Sequence, residues 1–193
     1  MTTPIQHLPE TCGVAFKEWA GVCDALASGL QGVILRKGGI AEDSGGFAPE
    51  HDAFWLYPTR VHEAEQGLRA APIAPAPPAP AGAIDLRALA AVAEVGYLDR
   101  PEALPALADF HTWTEPTVLK RFHYRRPGLW VLGVRVCVRP DPLRIEETPA
   151  HAGCKSWVPL DAPLSTDGLA PALDDGSFAR QMDRLRSVLA PSP

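Results

Sequence analysis

The chain has 193 residues and a formal net charge of −5 at pH 7. Hydrophobic residues make up 46% and charged residues 21%, which is typical of a globular chain with a sizeable core and favours a single domain over residues 1–193. The negative charge excludes a general attraction to nucleic acid or anionic lipid, so only a local basic patch would bind a phosphate polymer. No apolar run approaches the roughly 18 residues that span a bilayer, so no membrane partner is expected.

The N-terminus lacks a charged start followed by an apolar stretch, so we expect no signal peptide. The four cysteines, Cys12, Cys23, Cys137 and Cys154, are widely spaced and form no C-x-x-C motif. This pattern favours reduced thiols in a cytoplasmic protein over a disulfide framework.

Residues 14–28 predict an amphipathic helix that ends at Gly29, where a glycine favours the left-handed conformation of a helix end. The apolar residues recur at helical spacing along one face, namely Phe16, Trp19, Ala20, Cys23, Leu26 and Ala27.

The next segments alternate between strand and loop. Residues 33–35 predict a short strand, and the glycines within 38–50 predict a loop. Residues 54–57 predict a second strand that Pro58 ends, because proline cannot donate to a ladder. A short helix is expected over 60–69.

Residues 71–83 are rich in proline and alanine. Their proline spacing favours extended polyproline II. We expect a surface loop or linker that interrupts the domain, and a PxxP ligand for a protein partner is the alternative.

Residues 84–98 fit two predictions, because their alanines favour a helix whereas their apolar alternation favours a strand. Residues 101–110 predict a short helix with proline in its first turn. Residues 129–138 are almost wholly apolar and predict a central strand covered on both faces. We expect Pro140 and Pro142 to end this strand.

Residues 156–160 predict another short strand. The final helix is expected to begin near Asp174 or Asp175 and carries an apolar face formed by Phe178, Met182, Leu185 and Leu189. The irregular alternation of elements predicts an α+β fold. We expect a small mixed or antiparallel, curved sheet with an N-terminal and a C-terminal amphipathic helix packed on it.

The turn Arg36-Lys37-Gly38-Gly39 is a candidate anion-binding element. Arginine offers a planar fork that suits phosphate or carboxylate, and two glycines allow the backbone to approach a ligand closely. The spacing of a P-loop is absent, so a tight turn with solvated cations is the alternative.

Aromatic and basic residues further along the chain predict a binding surface with this turn. Trp55, Tyr57, His111 and Trp113, together with Arg121, are typical of surfaces that stack bases at roughly 1–3 kcal/mol per base. Lys155 adds a further cation. Packing of the aromatic residues in the core is the alternative interpretation.

A few residues are candidates for catalysis. His51, His62 and His111 are acid or base candidates because histidine titrates near neutral pH. Cys154 is a nucleophile candidate, since the neighbouring lysine would lower the pKa of its thiol, and Ser156 is the alternative. The spacing of these residues matches no metal-ligand motif, so neither a metal nor a cofactor is predicted.

Several of these blocks together resemble the domain of unknown function 1802 family of bacteria and archaea. The matching motifs extend over residues 14–161 and comprise residues 16–20, 35–40, 51, 54–59, 62, 110–114, 121, 129–138 and 153–157. The family has no established catalytic residues. Some members are associated with restriction-endonuclease-type domains, so the resemblance implies a link to DNA restriction or another nucleic-acid process.

Three hypotheses follow. The leading one is a ligand- or nucleic-acid-binding accessory domain whose site residues converge on one cleft, namely Arg36, Lys37, Trp55, Tyr57, Arg121 and Lys155. The second is a small hydrolase or transferase that acts on a phosphorylated or nucleotide-like compound with a histidine acid or base. The third is a protein-interaction module that uses residues 71–83.

Overall fold

The computed structural model describes residues 8–37, 50–60, 67–70, 72–151, 153 and 156–190. Within these ranges lie seven strands, three α-helices and two 3-10 helices. The strands are β1 (Thr11–Trp19), β2 (Val33–Arg36), β3 (Ala53–Thr59), β4 (Ala83–Leu98), β5 (Leu129–Glu146), β6 (Trp157–Ser165) and β7 (Ala170–Pro171). The α-helices are α1 (Ala20–Ala27), α2 (Glu115–His123) and α3 (Asp175–Leu189), and the 3-10 helices are Pro101–Phe110 and Pro149–His151.

The strands form one sheet in the order β2-β5-β4-β3-β1-β6, and β7 pairs with β5. The pairing of β1 with β3 is parallel, and the other ladders between described strands are antiparallel. The α+β prediction, with an N-terminal and a C-terminal helix packed on the sheet, is confirmed. Among the described helices, none combines the length and the hydropathy that a membrane span requires.

The sheet curves until its two ends meet. Arg36 ends β2 at one end of the strand order, and its Nη2 donates a hydrogen bond to Oγ of Ser156, immediately before β6 at the other end. The guanidinium of Arg36 also lies 4.7 Å from the ring centre of Phe16 on β1. The seam between the two ends of the sheet is therefore lined by polar and aromatic side chains from β1, β2 and the start of β6.

Side-chain alternation along β3 divides the core between the two faces of the sheet. Phe54 and Leu56 belong to the larger cluster, which α1, α2 and α3 cover. Trp55 and Tyr57 belong to a smaller cluster on the other face. Trp55 and Tyr57 therefore cannot contribute to the same surface as Phe54 and Leu56.

Helix α3 packs closely against the centre of β5. Asp174 caps the helix by accepting the backbone N–H of Ser177 at 2.9 Å, and Met182 and Leu185 are buried. A Cβ atom at Gly133 would lie only 2.7 Å from Cδ2 of Leu185. Glycine at this position therefore permits the close approach of the helix to the strand.

The predicted helix over residues 14–28 is wrong in its first half. Strand β1 runs to Trp19, and α1 is confined to Ala20–Ala27. The helical spacing of the apolar residues does not decide the structure here, because β1 has a ladder partner on each side, β3 and β6. The competing patterns for residues 84–98 resolve as the strand β4 for the same reason, since it pairs with β3 and β5.

Prolines do not end β3 or β5 where the sequence predicts. Pro58 lies within β3, but the ladder to β4 stops at Trp55, so no hydrogen bond to β4 needs the N–H that proline lacks.

The prolines of β5 lie in an irregular part of its ladder with β4. Leu86 pairs with Leu143 and Ala88 with Val138. Residues 139–142, with Pro140 and Pro142, therefore bulge outwards from the ladder opposite Arg87.

Several other predicted elements are present in the structure. The strands at 33–35, 54–57, 129–138 and 156–160 and the C-terminal helix are confirmed, and the helix expected at 101–110 is a 3-10 helix. The loop at 38–50 and the helix at 60–69 lie largely outside the described residues. Residues 72–82 form neither helix nor strand, and the backbone N–H of Ala76 donates to Asp24 Oδ2 at 3.1 Å.

Candidate ligand-binding site

A buried carboxyl group lies where β1 meets α1. Glu18 is only 5% exposed, and its Oε1 accepts the backbone N–H of Trp19 at 2.9 Å. Burial raises the pKa of Glu18, while the positive charges of Arg121 and Arg36 act in the opposite direction. A buried carboxyl with two cationic neighbours and a perturbed pKa is typical of functional sites, although structural networks also produce it.

Arg36 supplies the first cation. Its guanidinium stacks on Phe16 and donates to Ser156, and its Nε is buried without a hydrogen-bond partner among the described residues. Burial lowers its pKa and Glu18 raises it. The group remains protonated, because arginine does not lose its proton in proteins.

Arg121 supplies the second cation from the last turn of α2. Its guanidinium carbon lies 4.5 Å from the ring centre of Trp19 and 4.8 Å from that of Trp113. Nη1 donates to the carbonyl oxygen of Leu35 at 3.4 Å. Burial has the largest effect and lowers the pKa of Arg121. The carboxyl of Glu18 raises this pKa, and the positive charge of Arg36 lowers it. Each arginine therefore experiences the electrostatic field of the other.

The charges at this site do not cancel. Within the described ranges, no ion pair of 4 Å or less joins Glu18 to Arg36 or to Arg121. Two guanidinium groups therefore face one carboxyl, and at least one positive charge remains. Such an excess of charge beside partly exposed arginines favours the binding of an anion.

Two indole groups add donors around the arginines. Nε1 of Trp113 and Nε1 of Trp157 are buried and have no hydrogen-bond partner within the described part of the chain. Trp157 packs edge-on against Phe16 at 4.8 Å and His51 at 5.0 Å between ring centres. Buried donors in proteins normally have partners, so these two N–H groups mark places where a ligand or water oxygen would be stabilised.

The structure brings together only part of the predicted site. Arg36 and Arg121 converge on Glu18, and Trp113 contacts Arg121. Lys37 instead points to the C-terminal end of α2, where its Nζ donates to the carbonyl oxygens of Phe122, Arg126 and Gly128. Adjacent strand residues point to opposite faces, which explains why Arg36 and Lys37 separate.

Trp55 and Tyr57 are not at this site, so the predicted convergence is wrong for them as it is for Lys37. Trp55 is fully buried on the other face of the sheet and donates to the carbonyl oxygen of Cys12 at 3.2 Å. The hydroxyl of Tyr57 donates to Glu147 at 3.3 Å. The predicted site residues Gly38, Gly39, His62, Cys154 and Lys155 lie outside the described residues.

Among the described residues, the histidine candidates His51 and His111 have no catalytic partner. His111 is 4% exposed, and neither ring nitrogen has a hydrogen-bond partner among the described residues. Burial lowers its pKa to about 4, and the charges of Arg69 and Arg121 contribute. His51 contacts Trp157 through its ring, and no described carboxylate pairs with His51 or His111.

Sequence reasoning missed three site residues, namely Glu18, Trp19 and Trp157, and it treated Ser156 only as an alternative nucleophile. In the predicted helix over residues 14–28, Glu18 lies outside the apolar face. A period-two interpretation would instead have placed Phe16 and Glu18 on one buried side of a strand. That signal was available, because a charged residue among apolar ones on the covered face of a strand is uncommon.

A separate cavity of about 410 Å³ lies where β3 and β4 diverge beyond Trp55. Its walls include Leu56 and Tyr57 of β3, Ile84 of β4, and Pro77 and Pro78 of the proline-rich segment. Tyr57 therefore contributes to this cavity, and the proline-rich segment packs against the body of the protein.

Comparisons with known proteins provide a family but no activity. No curated protein matches the chain. Among solved structures, the ASCH protein of Zymomonas mobilis matches with 13% identity and a TM-score of 0.46, covering 92% of this chain and 95% of that one. A single-residue mutant of the same protein matches with 13% identity and a TM-score of 0.42, covering 95% and 100%. A family model described as a domain of unknown function (DUF1802) matches residues 15–184, and the chain therefore belongs to the DUF1802 family.

Proposed function

We propose that this protein is a binding domain for a phosphate-bearing ligand, either a nucleic acid or a nucleotide-like compound. Arg36 and Arg121 hold the phosphate. The observation that carries the proposal is the pair of partly exposed arginines, Arg36 and Arg121, beside buried Glu18, with no ion pair between either described arginine and that carboxyl.

The aromatic neighbours support phosphate binding through geometry. The guanidinium of Arg121 lies over the rings of Trp19 and Trp113, and the guanidinium of Arg36 lies over the ring of Phe16. Contact with aromatic rings restricts the position of a guanidinium group, whose N–H groups form a planar fork with donor edges. These edges match the spacing of phosphate oxygens, and the immobilised side chains lose little further entropy when a ligand binds.

Glu18 supports the proposal through charge. In the free protein it partly neutralises the two cations, which reduces the cost of holding them near each other. A ligand phosphate adds the negative charge that the cluster lacks. Because the whole chain carries a charge of −5, general attraction is weak and binding depends on this local cluster.

The role in DNA restriction or another nucleic-acid process that the family resemblance implies would use a ligand of this class. The alternative of a hydrolase with a histidine acid or base requires an imidazole paired with a carboxylate or a thiol. Within the described ranges neither His51 nor His111 has such a partner, so this alternative has no observation in its favour.

A thermal-shift experiment tests the proposal. The unfolding midpoint of the protein is measured with adenosine 5′-monophosphate and with single-stranded DNA and RNA of about ten nucleotides, a length within known site sizes. A ligand at about 100 times its Kd stabilises the fold by about 2.7 kcal/mol, which corresponds to a shift of several degrees for a chain of this size.

Arg36→Gln should reduce the ligand-induced shift to about half or less, because a tenfold weaker Kd leaves about 1.4 kcal/mol of stabilisation at the same ligand concentration, whereas Arg184→Gln should retain the full shift. Arg184 is an exposed arginine on α3 that pairs with Asp109, so it controls for the loss of one charge. The proposal fails if no phosphate-bearing probe shifts the midpoint, or if Arg36→Gln keeps the full shift.

A further inference from the structure

We infer that the ligand is a single-stranded nucleic acid and that the loop after α2, residues 124–128, forms a second contact surface that stacks one of its bases. This inference rests on the proposed function, because the strand would run from the phosphate site at Arg36 and Arg121 onto this loop.

The loop presents an aromatic ring to solvent. Tyr124 is 56% exposed, which is the highest value among the exposed large hydrophobic residues within the described ranges. The guanidinium of Arg125 lies 5.3 Å from its ring centre. Exposed aromatic rings beside arginines are the stacking platforms of single-strand binders, because every base has a π-face.

The segment is basic within an acidic protein. Residues 115–128 contain one acid, Glu115, and four Lys or Arg residues, namely Lys120, Arg121, Arg125 and Arg126. Lys120, Arg125 and Arg126 are exposed. A local positive surface of this kind tracks a phosphate backbone even where the total charge is negative.

The backbone of the loop is strained where its arginine projects. Arg125 has φ of 64°, and it is the one non-glycine residue with positive φ among the described residues. Glycine or asparagine usually occupies such a position, since a Cβ there is disfavoured. Strain held at an exposed residue indicates that its side chain is needed for something other than folding.

The rest of the structure holds the loop in place. Lys37, next to Arg36 in β2, donates to carbonyl oxygens on both sides of the loop tip. The hydroxyl of Tyr97 donates to the carbonyl oxygen of Pro127 at 3.0 Å. Tyr124 follows Arg121 by about one helical turn, so the phosphate site and the stacking ring lie within reach of one short strand.

A flexible single strand fits this arrangement better than a duplex. Bases in a duplex are stacked on each other, and their faces cannot reach an exposed ring without unstacking. A mononucleotide bound at Arg36 and Arg121 would not need the loop. The inference therefore predicts that the loop affects oligonucleotides and leaves mononucleotides unaffected.

Fluorescence anisotropy with labelled single-stranded DNA and RNA of about ten nucleotides, and calorimetry with adenosine 5′-monophosphate, test this inference. Tyr124→Ala should weaken oligonucleotide binding about 5- to 150-fold, equivalent to roughly 1–3 kcal/mol for one stacked base. Tyr124→Phe should restore it. Arg125→Gly should weaken oligonucleotide binding while raising the thermal midpoint, because glycine relieves the strained φ.

The outcomes separate the two proposals. If Tyr124→Ala and Arg125→Gly leave oligonucleotide affinity unchanged while Arg36→Gln weakens it, the loop inference is wrong and the proposed function stands. If Arg36→Gln and Arg121→Gln leave mononucleotide binding unchanged, the proposed function itself fails. Loss of binding to anionic phospholipid vesicles in Tyr124→Ala, with oligonucleotide binding intact, would assign the loop to a membrane surface and overturn the inference.

Discussion

The guanidinium of Arg121 lies 4.5 Å from the ring centre of Trp19, which joins the last turn of α2 to the end of β1. Trp113 lies 4.8 Å from the same guanidinium. These rings restrict the orientation of the arginine beside Glu18. The site therefore depends on the planar shape of the group as well as on its charge.

Arg121→Lys should separate these two contributions. Lysine keeps the charge but cannot present a rigid fork between two rings. We expect Arg121→Lys to weaken adenosine 5′-monophosphate binding by about tenfold, or 1.4 kcal/mol, and Arg121→Gln to weaken it more, measured by calorimetry. Equal affinity of the lysine variant and the wild type would show that charge alone is needed.

Glu18→Gln should strengthen ligand binding, because it removes the negative charge that competes with the phosphate. We expect about tenfold tighter binding of a single-stranded oligonucleotide at pH 7, equivalent to 1.4 kcal/mol. The phosphodiesters of this probe keep their charge over the pH range used.

The pH dependence of binding adds a second readout for Glu18, whose pKa burial raises above its ordinary value of 4.5. A bound phosphate favours the protonated carboxyl still further. Wild-type affinity should therefore rise as the pH falls towards the raised pKa, and Glu18→Gln should remove that part of the slope. Parallel pH profiles for the two proteins would contradict the role of Glu18.

His111 predicts a pH dependence of stability. Its folded-state pKa of about 4 lies below its ordinary value of 6.5, so below pH 6.5 the unfolded chain takes up a proton that the folded chain does not. The free energy of unfolding should fall by about 1.4 kcal/mol per pH unit between pH 6.5 and 4, about 3 kcal/mol in total.

His111→Phe keeps a ring beside Trp113 and removes the titrating group. In urea titrations over this pH window, the variant should lose that part of the slope. Its stability at pH 7 should stay the same or rise, because the substitution removes two buried nitrogens that have no hydrogen-bond partner among the described residues. A variant with the wild-type slope would show that other groups cause the acid sensitivity.

Gly133→Ala should destabilise the protein through the packing of α3. The new Cβ would lie 2.7 Å from Leu185 Cδ2 and 2.9 Å from Met182 Sδ. We expect a loss of about 1–3 kcal/mol in the free energy of unfolding, measured by urea titration. Gly176→Ala on the exposed first turn of α3 is the control, and it should be neutral or slightly stabilising. An unchanged stability of Gly133→Ala would mean that α3 does not pack this closely.

Sequence patterns predict elements well where only one period fits. Residues 129–138 are apolar except for Arg135 and form part of β5, and the final helix begins at its expected cap. Residues 14–19 and 84–98 fit both a helix and a strand, and ladder partners distant in the sequence decide between them. Local propensity contains no information about those partners.

The candidate site is harder to predict than the fold, because it is assembled across the seam of the curved sheet. Arg36 and Arg121 were recognisable as cations suited to phosphate. Their meeting at Glu18 depends on the curvature that brings β2 to the start of β6. The grouping of Trp55 with Arg36 failed because side chains alternate along β3, and Trp55 belongs to the other face.

The most direct test of the phosphate site is a calorimetric comparison of adenosine 5′-monophosphate binding by the wild type, Arg36→Gln, Arg121→Gln and the double variant. If both arginines hold one phosphate, each single substitution should weaken binding about tenfold or more. The double variant should then lose less than the sum of the two, since neighbouring groups on one ligand couple. Affinities of both single variants that equal those of the wild type and of Arg184→Gln would contradict the account.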